Sequence, residues 1–189
     1  MKFIDSLNVV LQHEGGYAKV PMDKGGETYR GISRVNWPNW PGWPIIDQNK
    51  PLKKNDIIAN RLLDKLVGNF YFENFWQKIN ADQLPGSIRT LLFDFAINSG
   101  VKTAVKVFQT VLEDTLNKQT FIDGIVGPET IKLANQANQK VLFDNFKEAR
   151  LKFYNSIVAN NPTQKKFLKG WLNRLDSFKY TTVLTTGFI

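Results

Sequence analysis

A group of acidic and small residues near the N-terminus has the composition that glycoside cleavage requires. Glu14 follows an apolar run and precedes Gly15 and Gly16, and Asp23 lies nine residues later in a glycine-rich stretch. Cleavage of a glycosidic bond uses one carboxyl group that donates a proton and a second group that stabilises positive charge or activates water. The donor needs an apolar setting, whereas the second group must stay ionised. Glu14 follows an apolar run, which suits the donor, and Asp23 lies in a glycine-rich stretch, where it can stay ionised.

The position of Glu14 is unfavourable for a carboxylate that has no functional role. The apolar residues before it recur at helical spacing, and two glycines follow, so the pattern predicts a helix that ends near Glu14. A negative charge at the C-terminal end of a helix is electrostatically unfavourable. This position therefore favours a functional role over an ordinary surface role.

The same residues resemble a known family. Glu14-Gly15-Gly16-Tyr17, followed by Asp-x-Gly-Gly-x-Thr-x-x-Gly-Ile-Ser over residues 23–33, is similar to the N-terminal signature of glycoside hydrolase family 108. Members of that family are N-acetylmuramidases, found among phage-type endolysins and proteins labelled secretion activators. The resemblance implies a lysozyme-like helical fold, hydrolysis of the bond after N-acetylmuramic acid, and Glu14 as the catalytic acid.

The C-terminal half extends this resemblance. Residues 92–100, 123–130 and 169–174 are similar, in order, to the peptidoglycan-binding region that accompanies the catalytic part of the family. We therefore expect a catalytic muramidase region at 1–85 and a helical peptidoglycan-binding region at 86–189. The two parts are expected to pack as one lysozyme-like unit.

A looser similarity to phage-type lysozymes suggests two further catalytic residues. Those enzymes use a Glu, an Asp nine residues later and then a Thr, and Glu14 and Asp23 keep the first spacing. Thr28 follows Asp23 by five residues, one fewer than in those lysozymes. Asp23 and Thr28 are thus candidate catalytic groups, although an Asp is also a common turn former and a strand threonine needs no special role.

Four other residues are candidates for substrate binding. Tyr17 and Tyr29 either line the sugar cleft or pack against the small lobe. Asp94 and Asn98 are four residues apart and share a helix face. They either bind N-acetyl and hydroxyl groups of the sugar or tie helix ends together.

Trp-Pro pairs recur every three residues, at 37–38, 40–41 and 43–44. Proline favours an extended backbone, and aromatic faces can stack on sugar rings. The alternative is that the indoles form part of the core.

The chain as a whole predicts a mainly α fold with a small loop-rich or β-hairpin lobe. Residues 17–53 are rich in Gly and Pro and indicate turns and loops with at most a short hairpin. Helical patterning resumes at a cap predicted at Asn55-Asp56. Later helices are predicted from Pro85-Gly86, over 102–116, from Pro128, over 139–158 and over 163–176.

Composition excludes several kinds of chemistry. The chain has no cysteine and one histidine, so thiol catalysis, disulfides and multi-histidine metal sites are excluded, and we expect neither cofactor nor metal. A net charge of +8 favours a polyanionic partner, whether nucleic acid, anionic wall polymer or lipid headgroups. No nucleic-acid-binding motif is present, so we expect no nucleic-acid partner.

Taken together, the sequence predicts a monomer that acts on the glycan strands of peptidoglycan, with peripheral attraction to an anionic wall or membrane. A lytic transglycosylase and a non-catalytic wall-binding secretion helper remain as alternatives. The N-terminus has no Sec-type signal pattern, and no apolar run reaches the roughly 20 residues of a membrane helix. We therefore expect synthesis in the cytoplasm and passage to the wall by a holin-type or other non-classical route.

Overall fold

The computed structural model describes residues 2–19 and 26–180 of the chain. These residues form an N-terminal unit, Lys2–Asn74, and a C-terminal unit that begins at Phe75. The fold is mainly α and lysozyme-like, with one small antiparallel sheet, which confirms the predicted fold class. In the described part of the chain, no helix combines the length and the apolar character needed to cross a membrane.

The N-terminal unit combines helices with a three-stranded sheet. Its elements, in chain order, are α1 (Phe3–Glu14), β1 (Tyr17–Lys19), β2 (Glu27–Tyr29), β3 (Ile32–Ser33), α2 (Trp43–Gln48) and α3 (Arg61–Tyr71). Helix α3 runs directly into a π-helical turn, Phe72–Trp76, and the division between the units falls within that turn. The sequence-based regions 1–85 and 86–189 divide the chain at a different point and stay a prediction.

Helix α1 places Glu14 at its last position. Its buried side consists of Ser6, Leu7 and Val10. The helix ends because Gly15 has a φ of 68°, a left-handed conformation that residues with a side chain rarely adopt. The end predicted from the glycine pair is therefore confirmed.

The sheet has the strand order β1-β2-β3 and is antiparallel throughout. The register creates two faces. The first contains Tyr17, Lys19, Glu27, Tyr29 and Ile32, and the second contains Ala18, Thr28 and Ser33. The two tyrosines and Ile32 of the first face are buried in the core of the unit. The second face carries only small side chains.

Residues 17–53 contain more regular structure than the sequence predicted. A third strand and helix α2 were not anticipated, and the third Trp-Pro pair, Trp43-Pro44, lies in the first turn of α2. Proline is tolerated in the first turn of a helix because the amide that it lacks would have no partner there. The expectation that proline holds all three Trp-Pro pairs extended is thus wrong at the third pair.

The start of α3 also differs from the prediction. The N-cap is Asn60, whose side-chain oxygen accepts a hydrogen bond from the amide of Leu63 at 3.0 Å. Asn55 and Asp56 instead pair with Tyr17, since the Tyr17 amide donates to the Asp56 carbonyl and the Asn55 amide donates to the Tyr17 carbonyl. These bonds use backbone groups, which do not depend on the side-chain type, so the presence of a cap residue type alone did not locate the helix.

The C-terminal unit is helical where it is described. Its elements are two 3₁₀ turns (Gln77–Ile79 and Ala81–Gln83), α4 (Gly86–Ser99), α5 (Val101–Leu116), α6 (Pro128–Gln136), α7 (Gln139–Asn160), a 3₁₀ turn (Pro162–Gln164) and α8 (Lys165–Ser177). Each predicted helix of this half is present. Gly100 and Pro128 mark boundaries as expected, because glycine ends helices and proline opens them.

A buried charged cluster joins three helices of the C-terminal unit. Asp94 on α4 accepts a 2.7 Å hydrogen bond from Arg150 on α7 and a 2.8 Å hydrogen bond from Arg174 on α8. The side chains of Asp94 and Arg150 are 0% exposed. Arg150 also donates to the Leu91 carbonyl and the Tyr154 hydroxyl. Such a cluster stabilises a fold only while every charge keeps its partner.

Replacement of Asp94 tests this arrangement. Asp94→Asn keeps the shape but removes the only carboxylate of the cluster, so we expect the free energy of unfolding to fall by about 3–5 kcal/mol. Asp144→Asn is the matched control, because Asp144 pairs with Lys140 at the surface and such pairs contribute less than about 1 kcal/mol. Chemical denaturation measures both, and equal effects of the two variants would contradict the role of the cluster.

Candidate active site

The Glu14 carboxyl group lies against the backbone of Gly31. A Cβ atom at residue 31 would lie 2.5 Å from Oε2 of Glu14 and 2.6 Å from the Tyr71 hydroxyl. A Cβ atom at this position would therefore force the Glu14 carboxyl group and the Tyr71 hydroxyl to move. The carboxyl group and the phenol therefore converge on one backbone point, with Glu14 half-buried at the end of α1.

The turn between β2 and β3 presents this backbone point. Arg30 and Gly31 have φ values of 49° and 80° and join the paired residues Tyr29 and Ile32. Two successive positive φ values are typical of the tight turns that match the twist of a hairpin. Tyr71, the last residue of α3, donates its hydroxyl to the Arg30 carbonyl at 2.6 Å. The turn is thus fixed from the helix side.

Close backbone packing requires the second of the two glycines after Glu14. A Cβ atom at Gly16 would lie 2.4 Å from the Asp56 carbonyl oxygen and 2.5 Å from that of Asn55. The Gly16 carbonyl also accepts a 3.1 Å hydrogen bond from the Arg30 amide. Backbone from β1, from the β2–β3 turn and from residues 55–56 therefore meets directly behind Glu14.

The other two candidate catalytic residues are placed differently. Thr28 is half-buried on β2, on the face that carries only small side chains. Asp23 lies outside the described residues. Catalytic roles for both remain predictions.

Tyr17 and Tyr29 lie in the core of the N-terminal unit. Tyr29 is 0% exposed and Tyr17 is 5% exposed. The Tyr29 hydroxyl accepts from the Ile58 amide at 3.1 Å, and the Tyr17 hydroxyl donates to Glu27 at 2.8 Å. Their burial favours the packing alternative over contact with a sugar ring.

Asp94 and Asn98 stand on α4 in the C-terminal unit. Asp94 is the acceptor of the buried cluster described above. Asn98 is exposed and donates its side-chain amide to the Asp94 backbone carbonyl at 2.8 Å. For Asp94, the alternative that it ties helices together agrees with these contacts, and sugar binding by the pair stays a prediction.

A network of charges supports the sheet and was not anticipated from the sequence. Glu27 is 9% exposed and contacts Arg34, Lys50 and Tyr17. Arg34 forms a bidentate pair with Asp47, which also contacts Lys50. Glu27 lies in the motif, but Arg34, Tyr17 and Lys50 are 7, 10 and 23 residues away from it, and spacing alone did not connect them.

This network lowers the pKa of the Glu27 and Asp47 carboxyl groups. Burial raises the pKa of Glu27, but hydrogen bonds from Lys50 and Tyr17 and the nearby positive charges outweigh it, so the net pKa lies below the ordinary 4.5. Hydrogen bonds from Arg34 and Lys50 lower the pKa of Asp47. Both groups are therefore held in their ionised form.

Two protein-family models match the chain, one in each half. Residues 7–100 match the family described as Glycosyl hydrolase 108, and residues 103–176 match a family described as Predicted Peptidoglycan domain. The N-terminal part of the chain belongs to glycoside hydrolase family 108. The Glu14–Gly31 contact, the sheet and helices α1 to α3 all lie within or next to this family 108 region.

A solved structure is similar over nearly the whole chain. The structure of Brucella abortus SagA shares 26% sequence identity, covers 93% of this chain and 90% of its own, and has a TM-score of 0.66. No curated protein gives a significant match. The family 108 region and the peptidoglycan domain together support a glycosidase that acts on peptidoglycan.

The packing at Gly31 yields a testable prediction. Gly31→Ala should displace the Glu14 carboxyl group, and we expect peptidoglycan cleavage to fall by about 100-fold, as misplacement by an ångström can cause. Gly100→Ala is the matched control, because Gly100 has nearly the same φ, 83°, but no atom within 4 Å of the added Cβ.

Both glycine variants are expected to lose roughly 1 kcal/mol of stability from backbone strain. Gly31→Ala should lose about 1–3 kcal/mol more, because its Cβ atom displaces two side chains, so circular dichroism must verify that each variant is folded. The rate of release of soluble fragments from purified peptidoglycan measures the difference between them. Cleavage by Gly31→Ala within twofold of the Gly100→Ala rate would contradict this account of the site.

The lowered pKa of Glu27 makes a prediction about acid stability. A group with a lowered pKa in the folded state stabilises the fold above its unfolded pKa and loses that contribution as the pH falls through its folded pKa. For Glu27 the loss begins below about 4.5. We expect Glu27→Gln to lower the free energy of unfolding by about 2 kcal/mol at pH 7, with a smaller difference from wild type at pH 3.

Chemical denaturation between pH 7 and pH 3 measures this dependence. Glu129→Gln is the control, because Glu129 lies at the surface near Lys118 and its loss should leave the wild-type pH profile unchanged. A constant difference between wild type and Glu27→Gln over this range would show that the charge of Glu27 does not contribute.

Proposed function

We propose that the chain is an N-acetylmuramidase that hydrolyses the β-1,4 bond between N-acetylmuramic acid and N-acetylglucosamine, with Glu14 as general acid. The observation that carries the proposal is the contact of the Glu14 carboxyl group with Gly31, beside the Tyr71 hydroxyl. The family 108 match over residues 7–100 supports the same reaction class.

The arrangement suits a proton donor because it restricts where the carboxyl group can be. The Glu14 carboxyl group is fixed at the end of α1 and packs against the Gly31 backbone and the hydrogen-bonded Tyr71. It therefore has little freedom to move towards the β2–β3 turn. Because Glu14 is half-buried, the rest of the group stays accessible to a substrate. A proton donor in a fixed position typically contributes about 10²- to 10⁴-fold in rate.

In the proposed reaction, Glu14 donates its proton to the glycosidic oxygen as the bond from that oxygen to the anomeric carbon of N-acetylmuramic acid breaks. A water molecule adds to this carbon and returns a proton to the protein. We propose Asp23, assisted by Thr28, as the group that activates the water or stabilises the positive charge. We favour inversion of configuration at the anomeric carbon over retention. The two carboxyl groups lie about 6.5–9.5 Å apart in inverting enzymes and about 5 Å apart in retaining enzymes.

The substrate is proposed to be the glycan strand of peptidoglycan, and the C-terminal unit is proposed to help hold it. The match of residues 103–176 to a peptidoglycan domain supports this assignment. A net charge of +8 favours approach to an anionic wall. We propose that the protein acts as a monomer.

Digestion of purified peptidoglycan by wild type and by Glu14→Gln tests the proposal. We expect the wild type to release fragments that end in reducing N-acetylmuramic acid, and we expect Glu14→Gln to lose at least about 100-fold in rate. Mass spectrometry identifies the fragment ends. Glu129→Gln, which changes an exposed glutamate of the C-terminal unit, serves as the matched control and should keep the wild-type rate.

Each other outcome has a definite meaning. Anhydro ends would identify a lytic transglycosylase, which needs an acid but no attacking water. Binding to peptidoglycan without release of fragments would favour a non-catalytic wall-binding secretion helper. Full activity of Glu14→Gln would contradict the assignment of Glu14.

A further inference from the structure

The N-terminal unit has a groove that the proposed reaction does not use. It has a volume of about 470 Å³ and lies between the segment 36–41 and the C-terminal part of α3 with the π-helical turn. We call it the Trp37 groove. Its volume falls in the roughly 300–1,000 Å³ range of small-molecule sites. Glu14, Gly31 and Tyr71 do not line it.

The aromatic residues that line the groove, Trp37, Trp40 and Phe70, include one accessible ring in a fixed position. We call these three residues the aromatic floor. Trp37 is 41% exposed, whereas Trp40 and Trp43 are 7% and 2% exposed. The ring of Trp37 meets Phe70 edge to face at 4.9 Å. Its backbone carbonyl accepts a 2.7 Å hydrogen bond from the indole of Trp43. The indole is thus held in place with part of its surface open to solvent.

The rim of the groove is polar and carries amide groups. Asn36, Asn39 and Asn69 are exposed along it. Each side-chain amide offers two hydrogen-bond donors and an acceptor, which match the hydroxyl and N-acetyl groups of an amino sugar. An aromatic floor with a few polar groups at the rim is the usual composition of a site that fixes both face and orientation of a ligand.

The charge of the groove selects among amino sugars. Glu73 is the one charged residue among the described residues that line it, although the chain carries a net charge of +8. The lactyl carboxylate of N-acetylmuramic acid would be repelled by Glu73, because like charges in close proximity destabilise each other. N-acetylglucosamine is neutral and meets no such repulsion.

The backbone under Glu73 is itself unusual. Glu73 and Asn74 belong to the π-helical turn Phe72–Trp76 that continues α3. Such turns are rare and occur frequently at functional sites. Asn74 uses its side-chain amide to bond the Phe70 carbonyl at 2.8 Å, which ties this turn to the aromatic floor.

We propose that the Trp37 groove binds an N-acetylglucosamine residue of a glycan strand, as a site additional to Glu14. The indole of Trp37 stacks on the sugar, the rim amides bind its polar groups, and Glu73 disfavours N-acetylmuramic acid. Binding at this site requires no bond cleavage, so it can be tested independently of the proposed hydrolysis.

Isothermal titration with the tetramer of N-acetylglucosamine tests the aromatic contact. The Glu14→Gln protein is used, so that the ligand stays intact. Adding Trp37→Ala should weaken binding by at least about fivefold, as loss of an aromatic contact of roughly 1 kcal/mol implies. Trp37→Phe keeps an aromatic face and should retain most of the affinity. Circular dichroism verifies that each variant is folded.

Leu62→Ala is the matched control for this titration. Leu62 is also a large exposed side chain of the N-terminal unit, at 58% exposure on α3, but it does not line the groove. Its replacement should leave the affinity unchanged. Equal affinities of the Trp37→Ala and Leu62→Ala proteins, or no binding of the tetramer by the parent protein, would overturn the proposal.

A second titration tests the role of Glu73. The parent protein should bind the tetramer more tightly than a peptide-free tetrasaccharide that alternates N-acetylglucosamine and N-acetylmuramic acid. Glu73→Gln should reduce this preference by strengthening binding of the alternating ligand. An unchanged preference would refute the selection by charge. Loss of binding here leaves the Glu14 digestion result intact, so the two proposals can fail separately.

Discussion

The structure around the candidate site depends on the exclusion of any side chain at Gly31. The Glu14 carboxyl group and the Tyr71 hydroxyl occupy the space that a Cβ atom would need. The left-handed backbone of Gly31 turns β2 into β3, so the conformation of the hairpin and the position of the carboxyl group follow from the same residue. Tyr71 adds a constraint from α3 through the Arg30 carbonyl. The end of α1, the β2–β3 turn and α3 therefore all meet at Gly31.

Behind this contact, backbone packs on backbone rather than side chain on side chain. Gly16 approaches the carbonyl groups of residues 55–56 so closely that alanine would collide with them. Tyr17 exchanges two hydrogen bonds with the same segment. Backbone contacts of this kind do not depend on side-chain rotamers. Elsewhere in the unit, large aromatic residues form the packing. The charged network of Glu27, Arg34, Asp47 and Lys50 then fastens β2 to α2.

The sequence predicted what local pattern determines and missed what long-range contacts determine. The end of α1 at Glu14 and the helices from residue 86 onwards follow from periodicity, glycine and proline, and they are present. Asn55 was predicted as a cap but pairs with β1 through its backbone amide, a contact that its side-chain type does not indicate. Tyr71 was not a candidate, since its contact with Arg30 spans 41 residues. Burial of Tyr17, Tyr29 and Asp94 likewise depends on partners that spacing does not reveal.

The π-helical turn after α3 has a consequence for how this family 108 region can diverge. A π turn closes its hydrogen bond over one residue more than an α turn, so it accommodates one additional residue in the helix. Deletion of one codon just before Glu73 would restore an α-helix and rotate Glu73 and Asn74 by about 100° around its axis. One deletion could therefore remove the acidic side of the Trp37 groove while leaving Glu14, Gly31 and the whole sheet unchanged.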